Sequence, residues 1–284
     1  MAETVFETIS RAYYDLTAAE KKTADYVMKH HDETQYMSIA ELADASGVAE
    51  ATVSRFCRRL GYKGYNAFKL AIANAAAVGR HGGDQLSGQI LEDDSLEDMS
   101  RKLYSADLAA MAQTLERLDA ERIGAAVDCL EKAGKVLCMG QGGSMVMASE
   151  AAHLFSTVSG KFFPVSDSHS QVIAAANMDE NDALLFFSYS GATREMSETL
   201  NVARSRGARV ILITRFPRSP GAALADVVLC CGSNESPLQL SSVPAKIAQL
   251  FLMDVLFSVF CRRDMERCRA SRARVAEALA EKHL

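Results

Sequence analysis

The chain has 284 residues, enough for two ordinary domains, and 49% of them are hydrophobic, so sizeable cores can be buried. Its formal charge of −5 excludes a protein that coats nucleic acid over its whole surface; any such contact must come from a local basic patch. The seven cysteines (Cys57, Cys129, Cys138, Cys230, Cys231, Cys261, Cys268) make no CxxC pair and no ligand-like cluster with histidine. They read as reduced thiols filling cores in a cytoplasmic protein. No basic-then-apolar signal opens the chain. The apolar run Ile247 to Phe260, interrupted by Gln249 and Asp254, is too short to span a bilayer.

Val5, Ile9 and Ala12 recur at helical spacing. Thr17 and Glu20 then have capping-box spacing ahead of a helix expected to reach about His30. That helix is expected to support the element that follows it.

Residues Ser38 to Lys69 read SIAELADASGVAEATVSRFCRRLGYKGYNAFK, with basic and no acidic residues from Ala51 onward. Ser38 and Glu41 form a second capping box, and Ile39, Leu42 and Ala43 give one apolar face. Gly47 suits the left-handed stop of this helix. Val53, Phe56 and Leu60 give the next helix its buried side, and Gly61 ends it. The pattern is a helix-turn-helix. Thr52, Ser54, Arg55, Arg58 and Arg59 fall on or near the wetter side of its second helix. Such a helix fits a major groove, where each good bidentate arginine–guanine pair discriminates by roughly 1–3 kcal/mol. Lys63 and Lys69 suit phosphates. The alternative is a helical hairpin with a solvated basic face.

A helix is predicted over Tyr65 to Val78. The glycine-rich, polar stretch Gly79 to Asp94 reads as a linker. Ser95 to Lys132 is helix-rich, with Leu103, Leu108, Met111, Leu115 and Leu118 suggesting an apolar stripe. From Lys135, short apolar runs alternate with helical patterns. Val136–Met139, Phe162–Val165, Ala183–Phe187, Val210–Thr214 and Val227–Cys231 read as strands. Helices are predicted near Ser144–Ser156, His169–Ala176, Thr193–Arg206 and Ala222–Ala225. That alternation means a parallel sheet with helices on both faces and a ligand at the carboxyl ends of the strands. A long helix, a break near Arg263 and a charged final helix close the chain.

Two strand-to-helix junctions carry small polar residues: Gly140-Gln141-Gly142-Gly143-Ser144 and Ser188-Tyr189-Ser190-Gly191-Ala192-Thr193. Glycines let backbone amides approach an anion, helix starts add partial positive charge, and hydroxyls add hydrogen bonds. Such turns also need glycine for geometry and Ser or Thr for capping. The first loop departs from a dinucleotide fingerprint, since Met145 occupies the third glycine position, and no Walker pattern occurs.

With these motifs in order, the chain resembles the RpiR family of bacterial transcriptional regulators. The matching residues are Ser38–Ala43, Ala51–Phe56, Leu60–Tyr65, Gly140-x-Gly142-x-Ser144, Ser188-x-Ser190-Gly191-x-Thr193-x-Glu195 and Lys246–Leu250. The resemblance implies an all-α helix-turn-helix domain (1–78), a linker (79–94), and an α/β SIS domain (95–284) with a five-stranded parallel sheet flanked by helices. It implies a regulator that binds operator DNA and senses a phosphorylated sugar, commonly as a homodimer or homotetramer, with no cofactor and no membrane. The implied DNA-binding residues are Thr52, Ser54, Arg55, Arg58, Arg59 and Lys63. The implied phosphosugar ligands are Gly142, Ser144, Ser188, Ser190, Gly191 and Thr193. Two departures stand out: Ala49-Glu50 replaces the family's usual Ser-Pro before the second helix, and Ala245-Lys246 replaces its usual Ser-Arg. Alanine is a poor N-cap, costing about 1 kcal/mol relative to serine.

The rival class is a phosphosugar isomerase, which needs a base to move a proton. Its candidate groups are His169, Glu150, Glu195 and Glu235, and their spacing commands no acid–base assignment. His30 and His31 are adjacent, and His81 and His153 have no ligand-spaced partners, so no metal site is expected. The arginine run from Arg262 to Arg274 reads as a solvated helix or a dimer face.

Overall fold

A computed structural model describes residues 4–79, 90–91, 93–233 and 242–280. The chain forms two compact units that divide between Ala106 and Asp107. The expected linker falls mostly outside the described residues. The division lies inside one continuous helix rather than at residue 95.

The first unit holds α1 (Val5–Ala12), α2 (Ala18–Lys29), α3 (His31–Thr34), α4 (Ile39–Ser46), α5 (Glu50–Arg59) and α6 (Tyr65–Gly79). Three of these helices open on full capping boxes: Thr4 with Glu7, Thr17 with Glu20, and Ser38 with Glu41. In each, a hydroxyl and a carboxylate satisfy backbone donors that the first helical turn leaves over. Ile9, Val27, Leu42, Val53, Phe56, Phe68 and Ile72 gather into one core, with Phe68 edge-on to Phe56 at 5.5 Å.

In the second unit, α8 (Ala120–Lys132) leads into five parallel strands: β1 (Lys135–Gly140), β2 (Phe162–Val165), β3 (Asp182–Phe187), β4 (Arg209–Thr214) and β5 (Val227–Cys230). Between and after them run α9 (Gly143–Ser156), α10 (Ser168–Ala176), α11 (Arg194–Ser205), α12 (Val243–Arg263) and α13 (Met265–Ala280). All five predicted strands appear within a residue or two of their expected bounds. The sheet order is β2-β1-β3-β4-β5.

Side chains alternate across each strand, so the sheet has two buried faces. Val136, Cys138, Leu185, Phe187, Ile211 and Ile213 pack with α8, α9 and α12. Leu137, Met139, Leu184, Phe186, Val210 and Leu212 pack with α10 and α11. The helix after β1 therefore lies on one face and the helix after β3 on the other. Their divergence opens a crevice above the carboxyl ends of two neighbouring strands. α12 is long and apolar enough by composition to cross a membrane, yet Leu252, Met253, Leu256, Phe257 and Phe260 are core residues of this unit.

The stripe expected on the helix before α8 points inward only in part: Leu103 and Met111 are half-buried and Leu118 packs against the core. That helix, α7 (Leu96–Glu116), buries Ala110 and Thr114, while Tyr104, Leu108 and Leu115 are exposed. The cause is close approach to backbone. The Thr114 hydroxyl donates to the Ala110 carbonyl at 2.7 Å and accepts from the Gly232 amide at 2.9 Å. A Cβ on Gly232 would lie 2.3 Å from Cβ of Gln113. Only small residues fit a contact that tight.

Phe155 of α9 centres an aromatic cluster, stacked on Phe162 at 4.5 Å and edge-on to Phe257 and Phe260 at 5.2 and 5.4 Å. It is fully buried. Phe155→Ala is expected to destabilise the second unit by about 3–5 kcal/mol. Chemical denaturation followed by circular dichroism checks this; a loss below about 1 kcal/mol contradicts it.

Candidate functional site

Two places gather the predicted site residues, one in each unit. In the first unit, Gly47 takes φ 64° and ends α4. The Val48 amide donates to the Ala43 carbonyl at 2.9 Å and the Gly47 amide to Asp44 at 3.0 Å, the paired bonds of a glycine C-cap. Gly61, at φ 90°, ends α5 the same way through Tyr62 to Cys57. The two glycine stops fix both ends of the turn and the helix that it delivers.

α5 buries Thr52, Val53, Phe56 and Cys57 and exposes Arg55, Arg58, Arg59 and Lys63 beyond its end, with Ser54 half-buried. Two of the expected DNA contacts have intramolecular partners in this structure. Thr52 is only 7% exposed, and its Oγ1 accepts from Arg55 Nη2 at 3.3 Å, so it orients that guanidinium instead of meeting solvent. Arg59 is turned back on the unit: Nη1 donates to the Asp15 carbonyl at 2.6 Å, and Nε lies 3.4 Å from Glu20 Oε1. Capping spacing identifies Glu20 from sequence as a helix-start residue, but nothing in the sequence ties residue 59 to it. Ala49 offers no side-chain cap to α5.

Burial alone would raise the Glu20 carboxyl. The hydrogen bonds from the Thr17 amide and hydroxyl, with the charges of Arg59 and Arg55, outweigh it and leave the carboxyl below its ordinary value. A carboxyl lowered by folding adds stability above its unfolded pKa and loses it as pH falls through the folded one. Glu20→Gln is therefore expected to lower the melting temperature at neutral pH, with the gap from the wild type closing as pH falls through the acidic range where the carboxyl takes up its proton. A gap that stays constant over that range contradicts this account.

In the second unit, the Gly140–Ser144 and Ser188–Thr193 loops leave β1 and β3 side by side, since Gly140 is the register partner of Phe187. Gly140 is obligatory: a Cβ there would lie 2.6 Å from the Ser144 carbonyl oxygen. Gly142 takes φ 54° just before α9, and Ser144 sits half-buried in its first turn. In the second loop Gly191 takes φ 59°, and a Cβ would meet Ser219 Oγ at 2.1 Å. Ser188 is buried, and its Oγ accepts from the Gly191 amide at 3.1 Å, so it shapes the loop from within. Ser190 is exposed, its Oγ accepting from the Ala192 amide at 3.3 Å. Thr193 stands at the N-cap of α11 yet caps nothing; its Oγ1 is buried without a partner. An unsatisfied buried hydroxyl costs about 1–3 kcal/mol, and a ligand oxygen in the crevice would relieve it.

Sequence reasoning missed the groups that brace these loops. The Thr214 hydroxyl and the Arg215 amide both donate to the Tyr189 carbonyl at 3.1 Å, and the Gly221 amide donates to the Gly191 carbonyl at 2.8 Å. Gln171, wholly buried in α10, donates to the Gly140 carbonyl at 3.0 Å and accepts from Gln141 at 2.7 Å. In sequence, Ser168-His169-Ser170-Gln171 carries only the signal of a helix start.

The isomerase candidates lie on separate elements. His169 and Glu195 are exposed in the first turns of α10 and α11, and Glu150 is half-buried within α9. Glu235 lies outside the described residues. No group of three or more His, Cys, Asp or Glu among the described residues could hold a metal ion. The second basic run is fastened down in part: Arg263 pairs with Asp128 and Glu131, while Arg267 and Arg272 lie over Phe260 and Phe257.

Comparison with known proteins agrees with both units. Residues 3–79 match the helix-turn-helix domain of the rpiR family, and residues 129–259 match the SIS domain. An uncharacterized HTH-type transcriptional regulator of Haemophilus influenzae is 29% identical over 99% of this chain and 98% of its own length. The HTH-type transcriptional regulator HexR of Pseudomonas aeruginosa is 31% identical over 89% of this chain and 87% of its own. The NanR protein of Vibrio vulnificus, solved in complex with ManNAc-6P, shares the fold over 99% of both chains, with a TM-score of 0.85 at 23% identity. The chain belongs to the rpiR family of helix-turn-helix transcriptional regulators. It is a DNA-binding transcriptional regulator joined to an SIS domain.

Proposed function

We propose that this regulator reads operator DNA with Ser54, Arg55, Arg58 and Lys63, and senses a phosphorylated sugar in the crevice above β1 and β3. The observation that carries the ligand reading is the Thr193 hydroxyl, buried without a partner between two glycine-built loops. Phosphate oxygens would be held by Ser144, Ser190 and Thr193 and by amides around Gly142 and Gly191, at the starts of α9 and α11. Ser188 holds the loop in shape for them. The complex of NanR with ManNAc-6P supports a sugar phosphate as the ligand class. The protein acts in the cytoplasm as a symmetric homo-oligomer, whose paired readers match a palindromic operator. The exposed Tyr104, Leu108 and Leu115 of α7 support a subunit contact. The sugar phosphate shifts an equilibrium between arrangements of differing DNA affinity, by as much as its affinities for them differ.

On the DNA side, Arg55→Ala and Arg58→Ala are each expected to weaken operator binding by roughly fivefold to a hundredfold in a gel-shift assay. Arg59→Ala should act through lowered stability. Wild-type affinity in both of the first two variants removes α5 from the interface.

On the ligand side, a thermal-shift screen of sugar phosphates should find a stabilising member, since a ligand that binds only the folded state raises stability by mass action. Ser190→Ala and Thr193→Val should each weaken that binding roughly tenfold or more by calorimetry, leaving DNA affinity without ligand unchanged. Undiminished binding in both variants overturns the cradle.

A further inference from the structure

The amide of Gln171 can sit only one way round. Its Nε2 donates to the Gly140 carbonyl at 3.0 Å and to the Val165 carbonyl at 2.8 Å, at the ends of β1 and β2. Carbonyl oxygens accept and cannot donate. A flipped amide would set its own oxygen against both of them, in a place sealed from water. Oε1 of Gln171 is thus the group turned toward Gln141, and it accepts from Gln141 Nε2 at 2.7 Å. The second amide inherits its polarity from the first. Gln141 presents nitrogen to Gln171, and no described residue donates to its Oε1.

Gln141 stands inside the β1 loop, between Gly140 and Gly142 and three residues before Ser144. It is half-buried in an otherwise glycine-built turn. An amide oxygen of fixed sense beside an anion cradle repels phosphate oxygens and carboxylates and attracts O–H and N–H groups. We propose that Gln141 is the specificity-determining residue of the crevice: its Oε1 accepts from a hydroxyl or an acetamido N–H of the sugar, and Gln171 is the positioning residue that sets that polarity. The preferred ligands are then phosphates of neutral, hydroxyl-rich or acetamido sugars, over phosphorylated acids that bring a carboxylate to the same place. This inference rests on the phosphosugar reading of the crevice.

The test is calorimetry on the full chain with three probes: inorganic phosphate, a panel of hexose and N-acetylhexosamine 6-phosphates, and 6-phosphogluconate. Gln141→Ala should keep inorganic phosphate affinity within about twofold and weaken the neutral sugar phosphates by about fivefold to tenfold. Gln141→Lys, which replaces the acceptor by a cation, should reverse the preference toward 6-phosphogluconate. Gln171→Leu should weaken inorganic phosphate and sugar phosphates together, because the Gly140 loop loses its brace. Loss of inorganic phosphate and sugar phosphate to the same extent in Gln141→Ala overturns the assignment, as does an unchanged ratio between them. A wild-type chain that binds none of the probes removes the phosphosugar reading, and this inference with it. Unfolding of Gln171→Leu leaves the two Gln141 variants to decide.

Discussion

A Cβ on Gly140 would come within 2.6 Å of the Ser144 carbonyl oxygen, and one on Gly191 within 2.1 Å of Ser219 Oγ. These two close approaches set the geometry on which the second unit depends. Because β1 and β3 are neighbours and their helices leave to opposite faces, the crevice exists for topological reasons. Topology alone, however, does not bring amides and hydroxyls into it. That requires no side chain at Gly140, where β1 ends, and none at Gly191, where the β3 loop crosses the loop after β4. The Gly221 amide, the Thr214 hydroxyl and the Arg215 amide then hold the second loop by its carbonyls. The Tyr189 and Gly191 carbonyls are turned onto neighbouring structure, away from the anion cradle proposed for this loop.

The first unit solves a related problem by different means. Its second reader helix lacks a side-chain cap at Ala49, and its last turn carries two adjacent arginines. Arg59 is drawn away from the outer face by the Asp15 carbonyl and the buried Glu20 carboxylate. That pair ties the end of α5 to the start of α2. Arg55 stays outside but is steadied by Thr52. A guanidinium with one contact already made loses less rotamer freedom on meeting a base edge or phosphate.

Most of the fold was legible because its signals are local. Five apolar runs, the capping boxes at Thr17 and Ser38, and the stops at Gly47 and Gly61 each act within a few residues. The failures share one cause. The α7 stripe looked apolar at Leu108 and Leu115, yet the buried positions are Ala110 and Thr114, the latter bonded to the amide of Gly232, far along the chain. The partners of Arg59 were hidden because they lie more than thirty residues away. Gln171 looked like an ordinary helix residue because its role is to hold the backbone carbonyls of Gly140 and Val165. In the candidate site, the two loops were visible from their serines and glycines. Which hydroxyl is orphaned and which is internal, Thr193 against Ser188, is a property of packing and not of residue type.

That distinction bears on how ligand could reach the DNA. A sugar phosphate changes operator affinity only through interactions that differ between arrangements of the protein. Typical couplings are about 1–3 kcal/mol, and satisfying one buried unpartnered hydroxyl is worth a similar amount. Thr193 begins α11, so a phosphate oxygen that engages its hydroxyl acts at the N-terminus of a helix whose other contacts, Met196, Leu200 and Ala203, are wholly buried. A close-packed core transmits a small shift at a helix start instead of absorbing it. An exposed serine such as Ser190 adds affinity but has no such lever. In the proposed cradle, affinity and response would be carried by different hydroxyls of one loop: Ser190 would chiefly hold the phosphate, and Thr193 would convert its arrival into movement.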